Sequence, residues 1–306
     1  MLRLLKSNDL EIRIAAVQTL RQSTGKQHNF VAYGDVVERK KSVAQWIEWV
    51  SSEGRTAKIH FPLKRVNFEL GRTLIVDYGR NKVFELDASG EQVWETTGFQ
   101  HPWSAIGLPN GHRLVSDYNW RKVVEFDAAG KEVWSKGALP ASPFNLHRLE
   151  NGNTLIACSD SQKVIEVSPG GDQTWEITIE GRPLDARRLH NGRTLVTLQS
   201  GNRVVEIDRA GKVHWELKGV KSPITAQRLA NGNTLVAEVQ GKRVSEWDRS
   251  GKLVWEQTGL QNPYSAQRLT SGNTLIVHAK DVREIDRNGK VIWKKEMSQL
   301  AHAMRY

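Results

Sequence analysis

From about residue 62 to its end the chain is a series of short apolar runs, four or five residues each, broken at regular intervals by glycine. Runs of this length, rich in Val, Ile, Leu and Thr and bounded by Asn-Gly or Asp-x-x-Gly, predict strands joined by tight turns. The stretch from Pro223 to Leu260 is the clearest unit, and its glycine returns at Gly71, Gly111, Gly152, Gly192, Gly232 and Gly272, spaced 40 or 41 residues apart. A tryptophan keeps step with it at Trp94, Trp134, Trp175, Trp215, Trp255 and Trp293. A period of about 40 residues made only of short strands predicts a β-propeller with one four-stranded blade per repeat. The expected fold is all-β, with six four-stranded antiparallel blades near residues 62–100, 101–140, 141–180, 181–220, 221–260 and 261–300.

Within the reference unit the strands are expected at Thr225 to Leu229, Thr234 to Val236, Val244 to Trp247 and Leu253 to Glu256. Asn-Gly steps such as Asn151-Gly152 and Asn231-Gly232 are expected to supply positive-φ residues to the first hairpin. After Trp293 the chain ends in Ala303-Met304-Arg305-Tyr306, which repeats the first-strand pattern Ala226-Gln227-Arg228-Leu229. The first repeat is weakest at that strand, with Arg65-Val66-Asn67-Phe68 in its place. Residues 301–306 are therefore expected to complete the first blade and remove an open sheet edge. The alternative, the start of a seventh repeat, stays open.

Residues 1–55 follow a different rhythm. Asn8-Asp9 offers a cap, Leu10, Ile12, Ile14, Ala15, Val17 and Leu20 recur with helical spacing, and Gly25 stops the run. A second helix is predicted over Asp35 to Ser51, with Val36, Val37, Val43, Trp46, Ile47 and Val50 as its apolar face. The propeller is taken as 56–306.

Composition narrows the picture. No run of about 18 apolar residues exists to span a membrane, and the N-terminus lacks the apolar core of a secretory signal. An exported or periplasmic location is expected if an upstream segment exists, otherwise a cytoplasmic one. The single cysteine, Cys158, excludes an internal disulfide framework. A net charge of +10 raises the question of nucleic acid, but Lys and Arg recur at fixed repeat positions and so spread around a ring. Nucleic acid is not an expected partner. A monomer is expected, with the helical segment available to a protein partner.

Residues that recur in every blade describe how a blade is built. The tryptophans are expected to pack blade on blade. Glu85, Glu125, Glu166, Glu206, Glu246 and Glu284 recur in third strands, and Arg148, Arg188, Arg228, Arg268 and Arg305 end first strands, a pattern suited to an ion-pair ladder. A site should instead differ from blade to blade. Six residues after the repeat glycine the chain reads Asp77, Asp117, Cys158, Leu198, Glu238 and His278. Two residues after the repeat proline it reads Lys64, Ser104, Asn145, Asp185, Thr225 and Ser265, with His302 in the closing segment. Aromatics lie beside them at Trp103, Tyr118, Trp120, Phe144 and Tyr264. Loops from all blades converge at the channel mouth. The expected ligand site is Trp103, Ser104, Asp117, Tyr118, Trp120, Phe144, Asn145, Asp185, Glu238, Tyr264 and His278, for a small molecule, glycan or peptide.

No catalytic residue is assigned; the histidine candidates are His278, His302 and His101. Asp117, Glu238 and His278 are metal-ligand types, but they lie a blade or more apart, and no metal site is assigned. No Ser/His/Asp constellation or phosphate-binding glycine loop is present.

The repeat seen whole in Arg228 to Glu256 resembles those of PQQ-binding-like and arylsulfotransferase-like propellers, and more loosely NHL repeats. LLKSNDLEIRIAAVQTLRQSTGK resembles one HEAT-type helical repeat. The arylsulfotransferase resemblance implies sulfuryl transfer by a channel histidine. The quinoprotein resemblance implies PQQ and calcium, although those enzymes are larger and commonly carry a vicinal cysteine pair. The leading expectation is a non-enzymatic binding or scaffold propeller without a cofactor.

Overall fold

A computed structural model of the chain describes residues 2–7, 10–26, 28, 30, 36–59, 71–108, 110–149 and 151–306. The expected Asn8-Asp9 cap, Asp35, and the opening of the first repeat with Pro62, Lys64 and Arg65 to Phe68 lie outside these residues. The chain forms two compact units, residues 1–70 and 71–306.

In the first unit, α1 spans Leu10–Thr24 and α2 spans Val36–Ser51. Their core is Leu5, Ala16, Val17, Leu20, Phe30, Val43, Trp46 and Trp49. The expected apolar face of α2 is corrected in part: Val36, Val37, Ile47 and Val50 are exposed, while Val43 and Trp46 are buried together with Trp49. Two indoles three residues apart remove more apolar surface from water than the smaller residues do, and they set which face of the helix turns inward.

The second unit is a six-bladed propeller of four-stranded antiparallel sheets. In blade 2 the strands are Pro102–Gly107, Arg113–Asp117, Lys122–Phe126 and Glu132–Lys136, and blades 3 to 6 repeat this order at Pro143, Pro183, Pro223 and Ser265. Second strands are buried throughout, as in Thr194–Leu198, whereas fourth strands alternate toward solvent. First strands of successive blades lie against one another around the axis.

Blade 1 takes its innermost strand from the C-terminus. Leu300–Arg305 pairs antiparallel with Thr73–Asp77, placing Arg305 opposite Thr73 and Met304 opposite Leu74. The last six residues therefore close a six-bladed ring and do not open a seventh repeat.

The turns correct one expectation. In the first hairpin only the glycine has positive φ, 86° at Gly152 and 88° at Gly232. The asparagine acts through its side chain: Asn151 Oδ1 accepts the Asn153 N–H at 3.0 Å, and Asn231 does the same for Asn233. This is an Asx turn, which needs one left-handed residue where a type I′ turn needs two.

The recurrent residues form one device. From blade 2 onward each third-strand glutamate is paired with the arginine ending the next blade's first strand: Glu125 with Arg148, Glu166 with Arg188, Glu206 with Arg228, Glu246 with Arg268 and Glu284 with Arg305. That guanidinium also lies over the preceding blade's tryptophan, as Arg228 does over Trp215 at 4.2 Å. The indole N–H of Trp175, Trp215 and Trp255 donates to a turn carbonyl of the next blade at 2.9 Å.

At the junction of blades 1 and 2 the device is rearranged. The first strand of blade 2 ends in Gly107, so Arg113 on the second strand supplies the guanidinium to Glu85 at 2.8 Å. The Tyr306 ring fills the space left above Gly107, and its hydroxyl donates to Glu85. A Cβ at Gly107 would sit 2.1 Å from that ring. Gly107→Ala is therefore expected to cost about 2 kcal/mol through overpacking, measured as a lower urea midpoint. Adding Tyr306→Leu, the residue other blades carry there, should recover part of the loss.

Candidate ligand site at the channel mouth

One face of the propeller carries the second-to-third-strand loops and the connections between blades. The first strands of blades 2 to 5 begin there with proline, whose missing N–H suits the unpaired inner edge. The pairing then slips by one residue, between Pro102 and Ser104, between Pro183 and Asp185 and between Pro223 and Thr225. A bulge re-aims a side chain. Here it sends the residue directly after the proline into the mouth of the channel, Trp103, Leu184 and Ile224; Phe144 in blade 3, where the pairing shifts between Pro143 and Leu146, and Tyr264, just before the regularly paired strand of blade 6, hold the same position.

Hydroxyls in the second strands fix this layer. Ser116 Oγ donates to the Phe144 carbonyl at 2.7 Å, and Thr197 Oγ1 donates to the Ile224 carbonyl at 3.1 Å. A second set of wall residues comes from the position after the second strand, with Tyr118, Gln199 and Val239, and a third from the position before the proline, with His101 and Arg182. Both His101 and Arg182 have positive φ, 82° and 61°.

Together they enclose a cavity of about 320 Å³. Trp103 is its central ring, 4.8 Å from Phe144 and 5.8 Å from Tyr264, both edge-on, and roughly parallel to Tyr78 and His101. Tyr118 stands edge-on to Phe144 at 5.3 Å. Burial and the neighbouring Tyr78 raise the Tyr264 phenol above its ordinary pKa. Blades 2, 3 and 6 thus give aromatic walls, and blades 4 and 5 give Leu184, Ile224 and Val239. The charged side chain in the lining is Arg182, over the Phe144 ring at 5.6 Å with Nη1 donating to Gln199 Oε1 at 2.7 Å.

Of the residues expected at the site, Trp103, Tyr118, Phe144 and Tyr264 meet in this cavity, and His101 joins them. Trp120 is 53% exposed and lies outside its lining. Asp117 and Glu238 are buried and turned into the blade, each accepting a backbone N–H from the connection before the proline, Gln100 at 2.7 Å and Lys221 at 2.7 Å. Glu238 also holds Arg243 and Ser245. His278 is buried with its Nε2 3.0 Å from Asp281 Oδ1, and burial lowers its pKa. Cys158 is buried and its thiol is pushed up to about 12, which leaves it unreactive.

Ser104, Asn145 and Asp185 lie one residue further along the first strands, buried among polar groups near the axis. Several such side chains satisfy the unpaired inner edge of the next blade. Asp185 Oδ2 accepts the Ala226 N–H at 3.1 Å, Thr225 Oγ1 accepts that of Ala266, and Asn145 donates to the Leu184 carbonyl. Gln267 makes both contacts a strand would make, to the N–H and carbonyl of Arg305. His302 is in the same layer. Burial, assisted by Arg187, pushes its imidazole down to about 3, so it is neutral at physiological pH.

Calcium, which the quinoprotein resemblance brings, does not fit this donor set. Six to eight oxygens are required, yet Asp185 is the carboxylate of the layer, and its Oδ2 is taken by the Ala226 N–H and by Arg187 Nε at 3.1 Å. Among the described residues no group of three His, Cys, Asp or Glu could hold a metal ion.

Fold and site together define a six-bladed propeller with an aromatic cavity at one channel mouth. The chain belongs to the PQQ-type repeat family whose model is described as outer membrane protein assembly factor BamB, and it matches over residues 64–197 and 181–305. No match is found among curated proteins. Among solved structures, the chain is similar to a protein of unknown function from Bacteroides caccae, with TM-score 0.68 and 20% identity over 76% of this chain and 98% of that one. It is also similar to a streptogramin B lyase, with TM-score 0.58 and 13% identity over 77% and 85% of the two chains. A virginiamycin B lyase from Staphylococcus aureus gives TM-score 0.58 and 12% identity over 76% and 83%. At these identities the likeness is one of fold.

Proposed function

We propose that the propeller is a non-enzymatic binding module that holds a ring-bearing small molecule, a sugar face or an aromatic peptide side chain at its channel mouth. The observation that carries this reading is the cavity itself, about 320 Å³, walled by Trp103, Tyr118, Phe144 and Tyr264 from three blades. Trp103, Phe144 and Tyr264 sit at a position that blades 4 and 5 fill with leucine and isoleucine, and Tyr118 at one shared only with Tyr78 of blade 1. A concave apolar site with few polar groups is what ligand pockets share. The framework residues, by contrast, repeat.

The test is calorimetric titration with 2-naphthamide, a neutral planar probe. Binding to the intact protein is expected, and Trp103→Ala should weaken it about tenfold through lost ring contact. Binding indifferent to Trp103→Ala, or no binding of this probe or of its carboxylate and ammonium counterparts, would sink the reading.

A second reading is favoured by one observation, the presence of His101 in the cavity wall: arylsulfotransferase-like transfer of a sulfuryl group. Sulfuryl transfer from 4-nitrophenyl sulfate to a phenol, lost in His101→Ala, would replace the first reading with this one.

A further inference from the structure

We propose that the ligand of this cavity is an organic anion, an apolar ring body bearing a carboxylate that pairs with Arg182. The inference rests on the binding reading above and adds the charge of the ligand.

Arg182 is built into the site. It precedes Pro183 in the left-handed region, with φ 61°, the conformation the blade connection also gives His101, Ser222 and Asn262, and this fixes where its side chain starts. Its guanidinium is then held from two sides, by Phe144 beneath at 5.6 Å and by Gln199 Oε1 at 2.7 Å. Gln199 is neutral, so this contact orients the cation without cancelling its charge. Asp160 is the acidic neighbour, 3.5 Å away, with Asp160 and Arg182 48% and 38% exposed. A contact of that length between exposed partners is screened by water and weak. The Tyr118 hydroxyl also draws Asp160, donating to its Oδ2 at 3.2 Å.

The other side chains facing the cavity are apolar, aromatic or amide, and the His101 ring is stacked against Trp103. A cation at the edge of a largely apolar cavity attracts opposite charge more strongly than one in open water. A guanidinium also matches a carboxylate's geometry through two parallel N–H donors. A cationic ligand would meet Arg182 as a like charge.

The experiment compares three probes of one shape, 2-naphthoate, 2-naphthamide and 2-naphthylmethylammonium, by calorimetric titration on the intact chain. The carboxylate is expected to bind about tenfold or more tighter than the amide, as for a hydrogen bond to a charged group, and the ammonium most weakly. Arg182→Gln should bring the carboxylate to the affinity the amide has in the same variant. Gln199→Leu, which removes the orienting acceptor, should reduce the preference in part. Asp160→Asn should strengthen carboxylate binding several-fold by removing the competing acid. Thermal melts of each variant separate loss of the site from loss of the fold. Carboxylate and amide binding equally, or a preference that survives Arg182→Gln in a folded variant, overturns the proposal while leaving the binding reading in place. If none of the three binds, the binding reading fails and this one with it.

Discussion

Removal of residues 300–306 is expected to unfold the propeller. The segment is the innermost strand of blade 1, and without it Thr73–Asp77 becomes an open edge facing the axis. Leu300, Ala301, Ala303 and Tyr306 leave the core, where none is more than 9% exposed. Burial of the leucine and tyrosine alone contributes about 4–5 kcal/mol, against a typical total stability of about 5–15 kcal/mol. Two partners are also stranded. Glu284 loses Arg305, and Glu85 loses the Tyr306 hydroxyl. The truncated chain should therefore melt far below the intact one or accumulate as insoluble protein, and a peptide of residues 299–306 added in trans should recover part of the loss. A truncated protein melting within about 3 °C of the intact chain, a shift worth no more than about 1 kcal/mol at this size, would show that closure adds little.

That strand was legible in the sequence because it copies a pattern read three times elsewhere, Ala186-Arg187-Arg188, Ala226-Gln227-Arg228 and Ala266-Gln267-Arg268, each preceding a turn. The ladder was legible for the same reason. Repetition reports framework, and the blade count, the ion pairs and the tryptophan packing all follow from it. The cavity was only partly legible, and the misses share a cause. Side chains alternate between faces along a strand, so a position one residue away from a site residue points elsewhere. Six residues after the repeat glycine, Asp117 and Glu238 face into the blade, while the next residues, Tyr118 and Val239, face the mouth. Two residues after the proline, Asp185 caps the neighbouring strand, while Leu184 and Ile224, one residue after it, are in the wall. The bulge that decides this leaves no mark beyond the proline itself. Arg182 and Gln199 were missed because neither is aromatic, and only the folded loops bring Gln199 to within 2.7 Å of the guanidinium. Comparing the residue before each proline, His101, Ser142, Arg182, Ser222 and Asn262, would have found the first of them.

Replacing Glu206 by glutamine is expected to cost about 3 kcal/mol at neutral pH, and the cost should vanish in acid. Glu206 is 1% exposed and is the most heavily paired carboxylate of the ladder. It meets Arg228 at 3.1 Å, Arg249 at 2.7 Å and Arg193 at 3.1 Å. Burial works against its ionisation, but the hydrogen bonds from Arg249, Arg193 and Asn191 outweigh that and bring its pKa from 4.5 down to about 2. Arg228 feels the reverse, since burial and the nearby Arg249 lower its pKa to about 10. Glutamine keeps the shape of the side chain and removes the charge, leaving three guanidiniums to repel one another. A carboxylate whose pKa falls on folding contributes stability that is fully present above its unfolded value and is lost as pH drops through the folded one. The window is therefore pH 4.5 to about 2. Above it, melts should show Glu206→Gln roughly 6–12 °C below the parent. As pH falls through the window the two curves should converge, because the parent's own Glu206 is becoming neutral. Glu85, Glu166 and Glu246 are shifted in the same direction by Arg113, Asn153, Arg209 and Arg287 and their other partners. The parent should thus lose stability cooperatively over the acid range, blade junction by blade junction. A constant gap between the two proteins from pH 7 to pH 2 would mean that Glu206 acts through packing, with its ionisation contributing nothing.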